Sequence, residues 1–214
     1  MRRFFMKRGA IVLLFLIFSN GLLGQKLIEK KLISPGIRSV QVDTANCFEV
    51  ELQNSASEEL TVEASIEGEY SKDLLVKISE EGTTLKVSAG FQPNFRNPND
   101  KLSAHKVVSI ALIVRIPQFR QVKVYGTNSN ITVSGNYKAL SVTLDDGRCI
   151  LNNVGYDTAV TTASGDILVY SEAGIVDALS KFGTVKDTRI PPGDNRYLLR
   201  TTSGNVTISK TDKL

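Results

Sequence analysis

Two short stretches carry the residue types from which hydrolytic sites are often built. Ser164-Gly165-Asp166 lies within TTASGDILVY (161–170), and Ser203-Gly204-Asn205 lies within TTSGNVTISK (201–210). A serine nucleophile needs a base within hydrogen-bond reach. The chain has one histidine, His105, remote in sequence from both serines. Carboxylates offer a second chemistry. Asp145, Asp146, Asp157 and Asp166, with Arg148, fall near turns. Cleaving a polysaccharide, by acid–base chemistry or with calcium, needs such acids gathered in one groove. Asp and Asn are also the residues that tight corners favour. One His and two Cys, Cys47 and Cys149, give no metal-ligand spacing. The reading is therefore no catalytic residue, no metal and no cofactor, with a carbohydrate-active enzyme using the corner carboxylates as the alternative.

The same residues make better sense as corners of a repeat. From Gly165, Gly147 and Ser129 lie 18 and 36 residues back, Gly183 lies 18 ahead, and Gly204 follows after 21, with Ile190-Pro191-Pro192-Gly193 between. Apolar residues spaced by two keep the same period: Ile131/Val133, Cys149/Leu151, Ile167/Val169, then Val185, then Val206/Ile208. Each pair marks a short strand with one buried face. A second strand precedes each corner, as in Val122/Val124 and Leu140/Val142/Leu144. Recurrence at a fixed period of this size signals stacked units. The expected fold is all-β: a single-stranded parallel β-helix, or solenoid, with rungs of about 18 residues over 118–214. Ser129, Gly147, Gly165, Gly183 and Gly204 are its corners, where Gly reaches positive φ.

Residues 25–117 lack the clean period but alternate like strands at 37–43, 47–52, 60–66, 74–78 and 84–89, with a longer apolar run at 107–116. They are expected to cap or extend the coil, because an open end leaves strand edges unpaired. Cys149 falls at an inward position and Cys47 out of phase with its neighbours, so the thiols are expected to be unpaired.

The first 24 residues read as a secretory signal: Arg2, Arg3, Lys7 and Arg8, then an apolar run from Ala10 to Phe18 that is too short to span a bilayer. The organisation is thus 1–24 signal peptide and 25–214 one domain. Four of the 26 basic residues leave with the signal, so 22 remain against 22 acidic ones. A neutral chain without basic runs lacks the electrostatic footprint of nucleic-acid binding. No later segment is apolar enough for a membrane-spanning helix, so the chain is not read as an integral membrane protein. An exported chain, periplasmic or at the cell surface, is expected.

The SGDI- and SGNV-like turns, together with Phe48-Glu49-Val50, Leu60 to Ala64, the pair Leu75–Ile78 and Thr84–Val87, and a strand ending in Ile116-Pro117, resemble the adhesin families of exported bacterial β-solenoid proteins. Those families are described as auto-transporter adhesin head domains of unknown function. The resemblance implies a β-helical fold, an envelope location and no defined reaction.

Binding surfaces are sought on two features. The segment 90–104, GFQPNFRNPNDKLSA, offers Phe91, Phe95 and Arg96 to a sugar ring or a protein; segments this long without periodicity are usually functional or disordered. Rung register stacks Asn130, Arg148, Asp166, Thr184 and Asn205 in one outward line, and Thr132, Ile150, Leu168, Lys186 and Thr207 in the next, with Tyr170 beyond. Ile150, Leu168 and Tyr170 form either a binding strip or a covered one. The expected function is a non-enzymatic binding or scaffold module for a glycan, a surface polymer or an envelope protein. Self-association through free strand edges is the further alternative.

Overall fold

Alternation of apolar and polar residues, period two, makes almost every segment of this chain a strand with one face to bury. The structure, a computed structural model, describes residues 26–33, 36–68, 71–95 and 109–211. The proposed signal peptide, Arg96 and His105 lie outside the described residues. The strands are β1 (Lys26–Ile33), β2 (Ser39–Asp43), β3 (Glu49–Ser55), β4 (Glu59–Glu67), β5 (Leu74–Glu81), β6 (Thr84–Phe91), β7 (Ser109–Pro117) and β8 (Gln121–Gly126). They continue with β9 (Asn130–Leu144), β10 (Arg148–Thr162), β11 (Asp166–Tyr170), β12 (Ile175–Ser180), β13 (Val185–Asp187), β14 (Arg196–Thr201) and β15 (Val206–Ser209). Among the described residues the only helix is a 3-10 turn at Ser71–Asp73.

The expected single-stranded parallel β-helix is not what forms. The 15 strands among the described residues belong to one sheet of mixed direction, curled into a nearly closed, barrel-like form. β1 runs antiparallel to β4, β4 to β7, and β5 to β6. The 18-residue step survives locally: Arg148 pairs in parallel with Asn130 on one side and Asp166 on the other. The physical reason for the difference is simple. Alternation and a recurring corner fix strand length and turn spacing, whereas neither fixes the direction of pairing nor the order of neighbours.

Two walls share β9 and β10. The first runs β1-β4-β7-β3-β9-β10-β11-β15-β13, and the second runs through β5, β6, β2, β8, β9, β10, β14 and β12. The long strands pass from one wall to the other at irregular steps around Gly135 and at residues 152–157, where the register shifts. Between the walls lies one core, in which Val50, Leu52, Val114, Ile131 and Leu151 of the first wall face the interior with Val42, Val87, Val124, Val142 and Leu199 of the second. Each such side chain contributes about 1.5–3 kcal/mol on burial. Tyr137 and Tyr197 fill the core beside the wall-to-wall steps, and their hydroxyls donate to the carbonyls of Ser134 (2.8 Å) and Val154 (2.6 Å).

Strand order departs from chain order. β14 lies between β10 and β12, and β15 between β11 and β13. The chain lays down 175–187, returns through the Pro191-Pro192 segment, and inserts its last strands inside. The outward line therefore runs Asp166, Asn205, Thr184: the Asn205 N–H donates to Asp166 Oδ1 (2.8 Å), and the Thr184 hydroxyl donates to Asn205 Oδ1 (2.8 Å). No ion pair joins Asp166 to Arg148.

The corner residues stack as a ladder, for a reason only partly anticipated. Gly147 has φ 93°, as a left-handed corner requires. Gly204 is needed for space: a Cβ there would lie 2.1 Å from the Gly165 carbonyl oxygen. Hydroxyls three residues before Gly165, Gly183 and Gly204 hold this ladder. Thr162 Oγ1 donates to Gly165 O (2.6 Å), Ser180 Oγ donates to Gly204 O (2.7 Å), and the Gly204 N–H donates to Thr201 Oγ1 (3.0 Å). Ser129 ends the ladder, fully buried, its hydroxyl within reach of the carbonyls of Thr44 (2.8 Å) and Cys47 (2.7 Å). Both cysteines are free and buried.

A candidate binding trough on the outer face of the second wall

Outward positions of the second wall form two rows. One runs Gln121, Ala139, Asp157, Arg196, Ile175, and the next runs Lys123, Ser141, Ala159, Leu198, Asp177. At about 4.8 Å per strand, five strands span about 19 Å. The middle of both rows carries Ala139, Ser141 and Ala159, which rise little above the backbone. Longer side chains stand on either side: Gln121 and Lys123 on one, and Arg196, Leu198 and Ile175 on the other. The result is an open trough of about 590 Å³. Its small floor and its banks follow directly from residue size at outward positions. At its far bank Arg200 donates to Asp177 Oδ2 (2.5 Å) and to the Asp177 carbonyl (2.8 Å). That bond holds the Asp177 carboxyl below the ordinary carboxylate range.

Two aromatic residues stand where these strands enter the second wall. Phe119 lies two residues before Gln121, and Tyr156 immediately before Asp157. Their rings meet edge to face, centroids 5.6 Å apart at 63°, and they are 52% and 46% exposed. Both have positive φ, 60° and 68°. For a bulky side chain that conformation is costly, on the order of 1–3 kcal/mol, and such strain gathers at functional sites. It is held by neighbours. The Phe119 N–H donates to the Asn136 carbonyl (3.1 Å), and the Tyr156 N–H to Asn195 Oδ1 (3.0 Å). Asn54 in turn fixes Asn136, its Oδ1 accepting the Asn136 N–H (2.5 Å). Strained backbone thus keeps both rings exposed next to the trough residues Gln121 and Asp157, with Phe119 also lining the neighbouring groove beside Arg120 and Lys138.

The residues expected from the sequence fall elsewhere. Phe91 and Phe95 stack on each other, centroids 4.2 Å apart and nearly parallel at 13°. Ile150 and Leu168 are paired neighbours on the first wall, both half-buried. Thr207, not Lys186, is the next residue in their row, and Tyr170 pairs with Asn152 and Ser209. Leu168 also lines a polar groove of about 490 Å³ with Arg148, Asp166 and Lys186. The structure does not gather these residues with the loop phenylalanines. The Ser164 hydroxyl donates to the Asp145 carbonyl (3.2 Å), at the corner ladder. Asp145 and Asp146 lie at the bend between β9 and β10, whereas Asp157 lies on the trough. Among the described residues no group of three or more His, Cys, Asp or Glu is placed to hold a metal ion. No helix among them is long and apolar enough to cross a membrane.

Sequence reading missed the trough and its aromatic pair. A signal for the floor existed: Ala139 and Ser141 are outward neighbours of Leu140 and Val142, and Ala159 recurs 18 residues after Ser141. Phe119 and Tyr156 gave none, because their outward pose depends on backbone strain.

No family model matches the sequence, and no curated protein does. The fold is similar to that of a putative cell adhesion protein from Clostridium sporogenes, with TM-score 0.63 and 14% identity over 87% of this chain and 100% of that one. Weaker overlaps include a putative adhesin from Bacteroides fragilis (TM-score 0.38, 13% identity, 87% and 98% covered). Another is a putative lipid binding protein from Parabacteroides distasonis (TM-score 0.25, 14% identity, 87% and 97% covered). At these identities the likeness concerns the fold alone.

Proposed function

We propose that this chain is a non-enzymatic binding module of the exported, adhesin-like kind, and that its trough takes a glycan segment of a surface polymer. The observation that carries the reading is the pair Phe119–Tyr156, held outward at energetic cost beside the trough. Sugar rings present C–H faces that pack on aromatic rings and hydroxyl rims that bond planar polar groups, here Gln121, Asp157 and Arg196. A small-residue floor admits a flat ring close to the sheet. An open trough about five strands wide suits many weak contacts along a chain. Binding rather than catalysis is favoured because the acids are spread over separate corners and strands, and because Ser164 is engaged by a backbone carbonyl. The fold shared with a putative cell adhesion protein agrees with an adhesive role at the cell surface.

The test is a glycan array probed with the chain from Gln25 onward, which contains every described strand. Beside it runs the double variant Phe119→Gly/Tyr156→Gly, which removes both rings while relieving φ. Retention of a polysaccharide by the native chain and its loss in the double variant is expected. Equal retention by both would sink the trough, and the variant Phe91→Ala/Phe95→Ala would then decide whether the loop carries binding.

A further inference from the structure

The two ends of the curled sheet are finished differently. At the N-terminal end, lysines of β1 reach the backbone of β5: Lys26 Nζ donates to the Leu74 carbonyl (2.8 Å) and Lys30 Nζ to the Val76 carbonyl (2.6 Å). Charged lysines at an edge block further pairing. At the other end, β12 pairs only with β14 among the described residues. Its outward residues Ile175 and Leu179 are 58% and 56% exposed, and no lysine within the strand guards it.

The free backbone groups of β12 can be read from its bonds. The N–H of Ile175 donates to Asn195 O (2.7 Å), and that of Lys181 to Thr201 O (3.1 Å), both toward β14. N–H and C=O of one residue point to the same side of a strand, and the side alternates along it. The odd-numbered residues therefore face β14. Val176, Ala178 and Ser180 present their donors and acceptors to the empty edge.

We propose that β12 pairs antiparallel with β12 of a second copy across a two-fold axis at Asp177. In that register Val176 faces the other copy's Ala178, and each such pair exchanges two N–H···O bonds, four in all. Ile175 lies across from the other copy's Leu179, and the reverse, so four exposed apolar side chains cover one another. Registers two residues away set Ile175 against Asp177 or Lys181 instead. The two Asp177 carboxylates meet at the axis, each already bonded to its own Arg200. An isologous contact of this kind closes on itself and forms a dimer, not a fibre. It also joins the second trough row of the two copies, because Asp177 ends that row and lies across from the other copy's Asp177. A long polymer would then meet two troughs at high effective concentration. The dimer does not depend on the glycan reading.

The experiment is sedimentation equilibrium over a concentration series, with Ala178→Pro as the variant. Proline at that position removes an N–H that faces the empty edge and leaves the bonds to β14 intact. A native dimer whose dissociation constant rises at least about tenfold in Ala178→Pro is expected, with an unchanged melting temperature at dilutions where both chains are monomers. Register is tested by mild oxidation of two single variants on a non-reducing gel. Asp177→Cys lies across from its own copy, within disulfide reach, and should give a covalent dimer, whereas Ile175→Cys should not. Cys47 and Cys149 are buried and do not compete. A native chain that stays monomeric overturns the proposal. So does a dimer indifferent to Ala178→Pro, or cross-linking through Ile175→Cys in place of Asp177→Cys.

Discussion

Replacing Gly204 with alanine should damage this protein far more than the same change at Gly36 or Gly82. The added Cβ would sit 2.1 Å from the Gly165 oxygen, 2.7 Å from its carbonyl carbon and 2.8 Å from Thr201 Oγ1. Two of those atoms are backbone of the adjacent strand connection, so relief requires the ladder to open. Opening it separates Gly204 N from Thr201 Oγ1, and Gly165 O from Thr162 Oγ1, all in the interior. Leaving one or two buried partners unmatched at about 1–3 kcal/mol each gives a loss of roughly 3 kcal/mol. For a chain of this size each kcal/mol lowers the melting temperature by about 2–4 °C, so the drop should be roughly 6–12 °C. Two controls separate space from conformation. Gly82 has φ 60° but nothing within 4 Å, so Gly82→Ala should cost only about 1 kcal/mol. Gly36 has neither feature, and Gly36→Ala should stay within about 0.5 kcal/mol. The assay is thermal unfolding followed by circular dichroism at one concentration. If Gly204→Ala melts no lower than Gly82→Ala, the steric account of the corner ladder is wrong.

Three further outcomes are expected. At Tyr156, glycine should be more stable than alanine by about 1 kcal/mol in urea unfolding, because only glycine adopts φ 68° without strain. The Thr158 hydroxyl is buried without a hydrogen-bond partner, so Thr158→Val should raise stability by about 1 kcal/mol in the same assay. Burial, with the Asp43 carboxylate assisting at Cys47, pushes both thiols from 9.0 up to about 12. Their neutral form is the one the fold favours. This contribution should be complete below pH 9 and lost as pH rises from 9 toward 12, and native thiols should resist alkylation at neutral pH until the chain unfolds.

The strands were legible because their inward residues alternate: Ile131/Val133, Cys149/Leu151 and Ile167/Val169 all point into the core. The corners were legible because Gly147, Gly165 and Gly204 recur. What alternation could not carry was pairing direction and order. Alternation alone does not say that β15 and not β13 lies beside β11; there Val206 and Ile208 are buried, while Val185 and Asp187 of β13, at the edge, are exposed. The return through Pro191-Pro192 shows why the last corner follows at 21 residues. β1 escaped notice because its partly buried residues, Ile28 and Leu32, sit among four charges in KLIEKKLI. The trough was hidden for another reason. Small outward residues look unremarkable in a sequence, and they become a floor only when two strands set Ala139, Ser141 and Ala159 side by side.

Ligand is proposed to bind on the second wall beside Phe119 and Tyr156. The most direct measurement is an amide chemical-shift map of the chain titrated with whichever oligosaccharide the array retains. Shifts are expected along Gln121, Ala139, Asp157 and Arg196, with Phe119 and Tyr156 at their margin. Shifts confined to residues 90–95, or to the row through Ile150 and Leu168, would contradict it.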